Sequence, residues 1–127
     1  GIKEGAVALS VAHDSHNIIV VGVNDDEMEF AVNSLVEQEG GIVLVKEGKV
    51  IESMPMPIAG LMSDQNTEFV QHKLQQLNFW TAELGVPENV NAFNCLSFLA
   101  LPVIPSLRLS DKGLVDVGKF AIVDLWE

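Results

Sequence analysis

Basic residues are scarce in this chain of 127 residues. Only seven residues are lysine or arginine, against 18 acidic residues, so the formal net charge is −11. Proteins bind nucleic acids and anionic membranes largely through Lys and Arg contacts to phosphate, and the sequence therefore excludes both as partners. Residues 5–45 contain no lysine or arginine at all, so a cationic partner would meet this acidic third of the chain first.

Cysteine and long hydrophobic runs are scarce too. The single cysteine, Cys95, lies in an apolar stretch, where a thiol behaves as a small hydrophobic group, and no intramolecular disulfide can form. The longest apolar runs, 18–21 and 99–104, are far shorter than the roughly 20 residues that cross a bilayer. The first residues do not form a basic segment followed by an apolar one, so we expect no secretory signal and a cytoplasmic location.

Apolar residues, in contrast, are plentiful enough for a core. They make up 48% of the chain. A chain of this length buries about two-thirds of its surface on folding, which requires neither disulfides nor a structural metal. We expect residues 1–127 to form a single domain.

Alternating and β-branched apolar segments predict six strands. The first two flank a polar segment as a hairpin, and the next two pair about Glu47 and Gly48, where glycine supplies the positive φ of a two-residue turn. Residues 54–57 (Met-Pro-Met-Pro) are expected to be an extended connector, since two of them lack the N–H that a central strand needs. The predicted strands are 7–12, 18–23, 42–46, 49–52, 114–117 and 120–125.

Two helices are predicted, and together with the strands they indicate an α+β fold. Asn24 caps a helix that runs to about Glu39, with acidic residues in its first turn; a second helix covers about 66–84. Residues 88–94 are expected to be a loop, and periodicity does not distinguish helix from strand in 96–104. The expected architecture is a mixed or antiparallel sheet built from hairpins, with two or three helices packed on it. The predicted buried positions are Met28, Ala31, Val32, Leu35 and Val36 in the first helix and Phe69, Val70, Leu74, Leu77, Trp80 and Leu84 in the second, which is capped near Ser63, Asp64 or Thr67.

Two phenylalanines do not fit these helices. At 100° per residue, Phe30 falls on the polar side of the first helix and Phe79 on the polar side of the second. Apolar surface left over once a core is filled usually serves an interface. We expect Phe30 and Phe79 to form a docking surface, either for a neighbouring domain or for a second copy of the chain.

A polar segment between the first two strands, residues 13–17, carries the densest set of reactive side chains; we call it the tip. Imidazole binds metals and transfers protons near neutral pH, and a carboxylate beside it could orient it or ligate. Asp, Ser and Asn are also common turn formers whose side chains cap local backbone groups, which explains the same residues without any chemistry. The tip consists of His13, Asp14, Ser15, His16 and Asn17.

The other reactive residues have simpler interpretations. Cys95 has no basic neighbour in the sequence, so it is not expected to be a nucleophile. Ser97 lacks a surrounding Gly-x-Ser-x-Gly and is expected to bond local backbone, and His72 is expected to be exposed on the second helix. The sequence contains no phosphate-binding loop, no Gly-x-Gly-x-x-Gly, no His-Glu-x-x-His and no His-x-His.

Several segments nevertheless resemble one known family. They follow in order through nearly the whole chain: Ser-Val-Ala-His-Asp-Ser-His-Asn at 10–17 with Ile-Ile-Val-Val-Gly after it, Gly-Gly-Ile-Val at 40–43, Met-Pro-Ile-Ala-Gly-Leu-Met-Ser at 56–63, Leu-Ser-Phe-Leu-Ala-Leu-Pro-Val-Ile-Pro at 96–105 and Asp-Lys-Gly-Leu-Val-Asp at 111–116. These segments are similar to the C-terminal domain of bacterial-type adenine deaminase, in the amidohydrolase superfamily.

The resemblance implies a parent enzyme that hydrolyses adenine to hypoxanthine and ammonia. The family's reaction takes place at a divalent metal centre (Mn or Fe) in an N-terminal (β/α)₈ barrel, which a chain of this length cannot contain. This implies that the chain holds no catalytic residue, metal or cofactor of its own and packs on that barrel, through Phe30 and Phe79. The tip, which matches the family motif, is the part expected to reach the active site or a subunit contact. The alternative is a free-standing regulatory module that binds a small ligand at the tip.

Overall fold

A short buried strand organises the first half of the chain. The computed structural model describes residues 1–13 and 15–126. Strand β1 (Ala6–Leu9) lies between β2 (Ile19–Gly22) and β3 (Gly41–Lys46), and β4 (Lys49–Pro55) completes an antiparallel sheet in the order β2-β1-β3-β4. Both predicted hairpins are present. Glu47 and Gly48 form the turn of the second hairpin with φ of 52° and 67°, the positive values that this type of two-residue turn requires.

Three helices cover the two faces of this sheet, since alternate strand residues point to opposite sides. Helix α1 (Asp25–Glu37) packs on Ala6 and Ala8 of β1 and on their partners in β3, Val45 and Val43. Helices α2 (Thr67–Glu83) and α3 (Ala92–Leu99) lie on the other face, on a cluster that includes Val7 and Leu9. The four-stranded sheet is therefore the middle of three layers.

An asparagine begins each helix. The side-chain Oδ1 of Asn24 accepts a hydrogen bond from the Glu27 N–H at 2.8 Å, and Asn66 and Asn91 accept equivalent bonds at 2.9 and 3.0 Å. Such caps satisfy one of the free N–H groups of a first turn. The prediction of Asn24 is confirmed, while the caps proposed for the second helix were wrong because Asn66 takes that place.

The last part of the chain forms a second antiparallel sheet. It contains β5 (Leu107–Ser110), β6 (Gly113–Asp116) and β7 (Ala121–Val123), in that order. In the turn before β7, the Lys119 N–H donates a hydrogen bond to Asp116 Oδ1 at 3.1 Å. This bond stabilises the ionised carboxylate and so lowers the pKa of Asp116 below its ordinary value. The α+β class is confirmed, with two antiparallel sheets and three helices in place of a single sheet. β5 was not predicted, although its residues Leu-Arg-Leu-Ser alternate between apolar and polar.

The connector predicted at 54–57 is half wrong, since Met54 and Pro55 belong to β4. The Met56 N–H donates to the Gly40 oxygen at 3.1 Å, and backbone bonding alternates along an antiparallel pair. The nitrogen of Pro55 therefore faces away from β3, where β4 is the outer strand and no donor is needed.

Several predicted burials were also wrong. Val36 is 59% exposed because α1 meets the sheet mainly through Ala31 and Leu35. In α2, Phe69 and Leu74 are more than one-third exposed, whereas Leu77 is fully buried. The loop predicted at 88–94 is interrupted by α3, which begins at Ala92.

The hydroxyl of Ser10, just after β1, joins three distant segments. It accepts a hydrogen bond from the Gly41 N–H at 2.7 Å and donates to the carbonyl oxygen of Gly60. A Cβ atom at Gly40 would lie 2.5 Å from the Cα of Gly60, so this close approach requires glycine. The end of β1, the start of β3 and the turn after β4 are thus fixed to each other.

We predict that Ser10→Ala lowers the free energy of unfolding of the 127-residue chain by about 1–3 kcal/mol, because the Gly41 N–H, on a buried residue, loses its side-chain partner. Urea denaturation followed by circular dichroism measures the change. Ser106→Ala is the control, because Ser106 is exposed and a surface substitution changes stability by less than about 0.5 kcal/mol. Equal midpoints for the two variants would contradict the assignment.

Candidate functional site

The tip connects β1 to β2 and rests on helix α3. The His13 N–H donates to the Ser97 carbonyl oxygen at 3.1 Å, and the imidazole stacks on the ring of Phe98 with centroids 4.1 Å apart and planes inclined by 29°. Stacked aromatic pairs of this kind are worth about 0.5–1.5 kcal/mol. One backbone bond and one ring contact therefore fix the position of His13, although its side chain is exposed.

Residues 15–17 of the tip are exposed. The Ser15 N–H donates to the His13 oxygen at 3.0 Å, and His16 adopts a left-handed φ of 46°. The side chains of Ser15, His16 and Asn17 are exposed, and Asp14 lies outside the described residues. The described part of the tip thus presents two imidazoles, a hydroxyl and an amide to the surroundings, all able to bond a neighbouring group.

Among residues 1–13 and 15–126, no three His, Cys, Asp or Glu side chains come together in an arrangement that could hold a metal ion. The ligand set that a divalent metal centre requires is not assembled by these residues, so we derive no reaction step through a metal in this chain. What the tip can do chemically is donate or accept hydrogen bonds and orient a group brought to it by another domain.

A cleft of about 570 Å³ opens beside the tip. It lies between β2, α3 and β5, and Ser15 and Asn17 line one part of it. Most of its other lining residues are aliphatic, among them Ile18, Leu99, Leu107 and Leu109, each 45–60% exposed. The tip therefore borders an apolar cleft that sequence analysis did not foresee.

Phe30 and Phe79 are both exposed, by 39% and 58% of their surfaces. Phe30 belongs to α1 and Phe79 to α2, which cover opposite faces of the four-stranded sheet. The helical registers placed both rings correctly at the surface. However, one flat surface cannot contact both of them.

Of the other reactive residues, Ser97 meets the tip through its backbone oxygen and not through its hydroxyl. Ser97 donates its hydroxyl proton to the Asn94 oxygen at 2.9 Å, which confirms the local role predicted for it, and His72 is exposed on α2. Cys95 is a free, exposed thiol on α3 and does not pack as the small hydrophobic group that its sequence surroundings suggested. In the described part of the chain, no helix combines the length and apolar character needed to cross a bilayer.

Sequence reasoning missed two residues that shape this region. Phe98 supports His13, and Arg108, the only arginine, lines the cleft with its Nε buried and without a hydrogen-bond partner among the described residues. Asn91 followed by an apolar run was the available signal for α3, but a helix start does not show that Phe98 lies against the tip.

Comparison with known proteins gives a consistent result. The family model described as adenine deaminase C-terminal domain matches residues 1–121. A protein named adenine deaminase 2 from Desulfotalea psychrophila is 57% identical over 98% of this chain and 22% of its own length. Proteins from Carboxydothermus hydrogenoformans (adenine deaminase 2) and Ligilactobacillus salivarius (adenine deaminase) are 50% and 53% identical, each over 97% of this chain and 22% of their own length. The chain thus spans little more than a fifth of the curated relatives that it matches.

Proposed function

The chain belongs to the adenine deaminase C-terminal domain family, and from this premise we propose that it is the accessory part of a longer enzyme that hydrolyses adenine to hypoxanthine and ammonia. The single observation that supports this is the match of nearly the whole chain to about one-fifth of proteins named adenine deaminase. We place the parent enzyme in the cytoplasm, in purine salvage.

In this proposal the hydrolysis takes place elsewhere in the parent. A divalent metal, manganese or iron, is held by an N-terminal amidohydrolase barrel, and this domain packs on that barrel. In this proposal the barrel supplies the metal ligands and the proton-transfer groups, and this domain contributes positioning.

The first prediction concerns the isolated chain. Purified residues 1–127 release no ammonia from adenine, with or without added Mn²⁺ or Fe²⁺, because an activated hydroxide needs a ligand set that residues 1–13 and 15–126 do not supply. A coupled ammonia assay, run beside the full-length parent under the same conditions, measures this. Metal-dependent turnover by the isolated chain would place the chemistry in this domain and overturn the proposal, as would a full-length parent that does not deaminate adenine.

We further propose that the tip lies at the edge of the parent's active site or at a subunit contact. His13 is held on Phe98 and yet remains exposed, which suits a side chain that orients a group of another domain. A turn that only reverses the chain does not require an imidazole fixed in this way.

In the full-length enzyme, His13→Ala is expected to lower kcat/KM about tenfold, the size of an orienting interaction, and His16→Ala to lower it less. A general acid or base would contribute roughly 10²- to 10⁴-fold. Stability should fall by no more than about 1.5 kcal/mol, since the ring stack on Phe98 is the strongest side-chain interaction that His13→Ala removes.

Phe98→Leu serves as the matched variant, because it keeps the imidazole but removes the ring that holds it. It should reproduce part of the loss in kcat/KM. Steady-state kinetics and melting curves decide the matter: unchanged kcat/KM in both histidine variants would reduce the tip to a structural turn.

Phe30 and Phe79 are the proposed docking residues. Since they lie on opposite sides of the sheet, we propose that the barrel covers one ring and a second copy of the protein covers the other. In the isolated chain both rings are free to promote self-association.

Replacing Phe30 and Phe79 with serine in the isolated chain should shift oligomers toward monomer in light scattering and leave the circular dichroism spectrum unchanged. The two single variants identify which ring contributes more. Unfolding of the double variant would show instead that the rings stabilise the core, and an unchanged oligomer distribution would remove them as docking residues.

A further inference from the structure

The outer strand β2 has backbone N–H and C=O groups that pair with no described strand. The register of its pairing with β1 shows which residues carry them. The Val23 N–H donates to the Gly5 oxygen at 3.1 Å, and these residues continue the pairing of Gly22 with Ala6. Because bonding alternates along an antiparallel pair, Ile19 and Val21 also face β1. The N–H and C=O groups of Val20 and Gly22 therefore point away from the sheet, where no described strand pairs with them.

The opposite edge of the same sheet is protected. On β4, the outward Ser53 N–H is bonded by the carboxylate of Glu52 at 2.9 Å, Pro55 has no N–H, and the pairing with β3 is irregular at Leu44 and Val45. Such devices keep an edge from pairing with another chain. β2, with the sequence Ile-Val-Val-Gly, contains no charge and no proline, and its pairing with β1 has no irregularity.

Three of the four residues of β2 line the apolar cleft. Residues 18–21 line it together with α3 and β5, and among the described residues its only charged lining groups are Arg108 and Asp111, one of each sign. A strand of four residues paired with β2 would be about 13 Å long at roughly 3.3 Å per residue. Because its two charged groups have opposite signs, the cleft suits an uncharged extended segment better than a basic peptide. A basic peptide would instead be attracted to the acidic surface of the rest of the domain.

Resting on the proposed function, we propose that an extended segment of the parent polypeptide, from outside these 127 residues, adds to the β2 edge as a fifth strand of the sheet. The relatives devote nearly four-fifths of their length to other sequence, which is covalently attached and therefore present at high effective concentration. A second copy paired through its own β2 would have to bring a second α3 and β5 to the same cleft. Backbone bonds supply the affinity of such strand addition, and the cleft selects the side chains.

Amide hydrogen exchange of the full-length protein, resolved to single residues, tests this directly. The amides of Val20 and Gly22 should exchange about 100-fold more slowly than unprotected amides, since a bonded amide must open before it exchanges. This protection should not depend on protein concentration. Exchange at the unprotected rate would overturn the inference, and protection that appears only where the protein dimerises would assign the edge to a second copy instead.

A matched pair of variants tests the role of the edge. Ile18→Lys places a charge beside β2, and Val50→Lys does the same on β4; the two side chains are 45% and 44% exposed, so neither change should disrupt folding. Ile18→Lys should reduce the protection of Val20 and Gly22 at least tenfold, whereas Val50→Lys should leave it unchanged. Equal effects of the two variants would overturn the inference. Unprotected amides in a protein that deaminates adenine would refute the added strand alone, whereas a protein without that activity would refute the proposed function.

Discussion

The fold depends on the burial of one strand of four residues on both faces. The small side chains of Ala6 and Ala8 let α1 lie close to the sheet, and the larger Val7 and Leu9 fill the space beneath α2 and α3. Because both faces are covered, a shift of one residue would exchange the small and the large sets and leave neither helix layer packed. The register of β2 and β3, which both pair with β1, follows from this constraint.

The segments that resemble the adenine deaminase family converge just beyond this strand. Ser10 bonds to Gly41 and Gly60, which belong to two other segments of the resemblance, and His13 contacts Ser97 and Phe98 in a fourth. The pattern in the sequence is therefore in large part a packing pattern. It positions the tip through contacts between segments that are far apart along the chain, and a catalytic role for every matched residue is not needed to explain it.

Local signals in the sequence were sufficient for some elements and not for others. Asn24 with its acidic first turn predicted α1, and Glu47-Gly48 predicted the hairpin, because short-range chemistry determines both. The same reasoning failed at Val36 and Pro55. Burial of Val36 depends on which side of α1 meets the sheet, and the presence of Pro55 in a strand depends on β4 being an outer strand. The tip was recognisable from its composition. Its ring support and the cleft beside it were not, because α3 and β5 approach it only through the tertiary fold.

The two edges of the four-stranded sheet differ, and this difference limits how the molecule can assemble. A fibre of stacked sheets needs two adhesive edges on every unit, so that each added unit offers a new place for growth. Here the proline and the bonded amide on β4 block one side. Two copies that pair through β2 therefore consume the one edge that the described strands of this sheet leave open on each, and edge-to-edge growth ends with that pair.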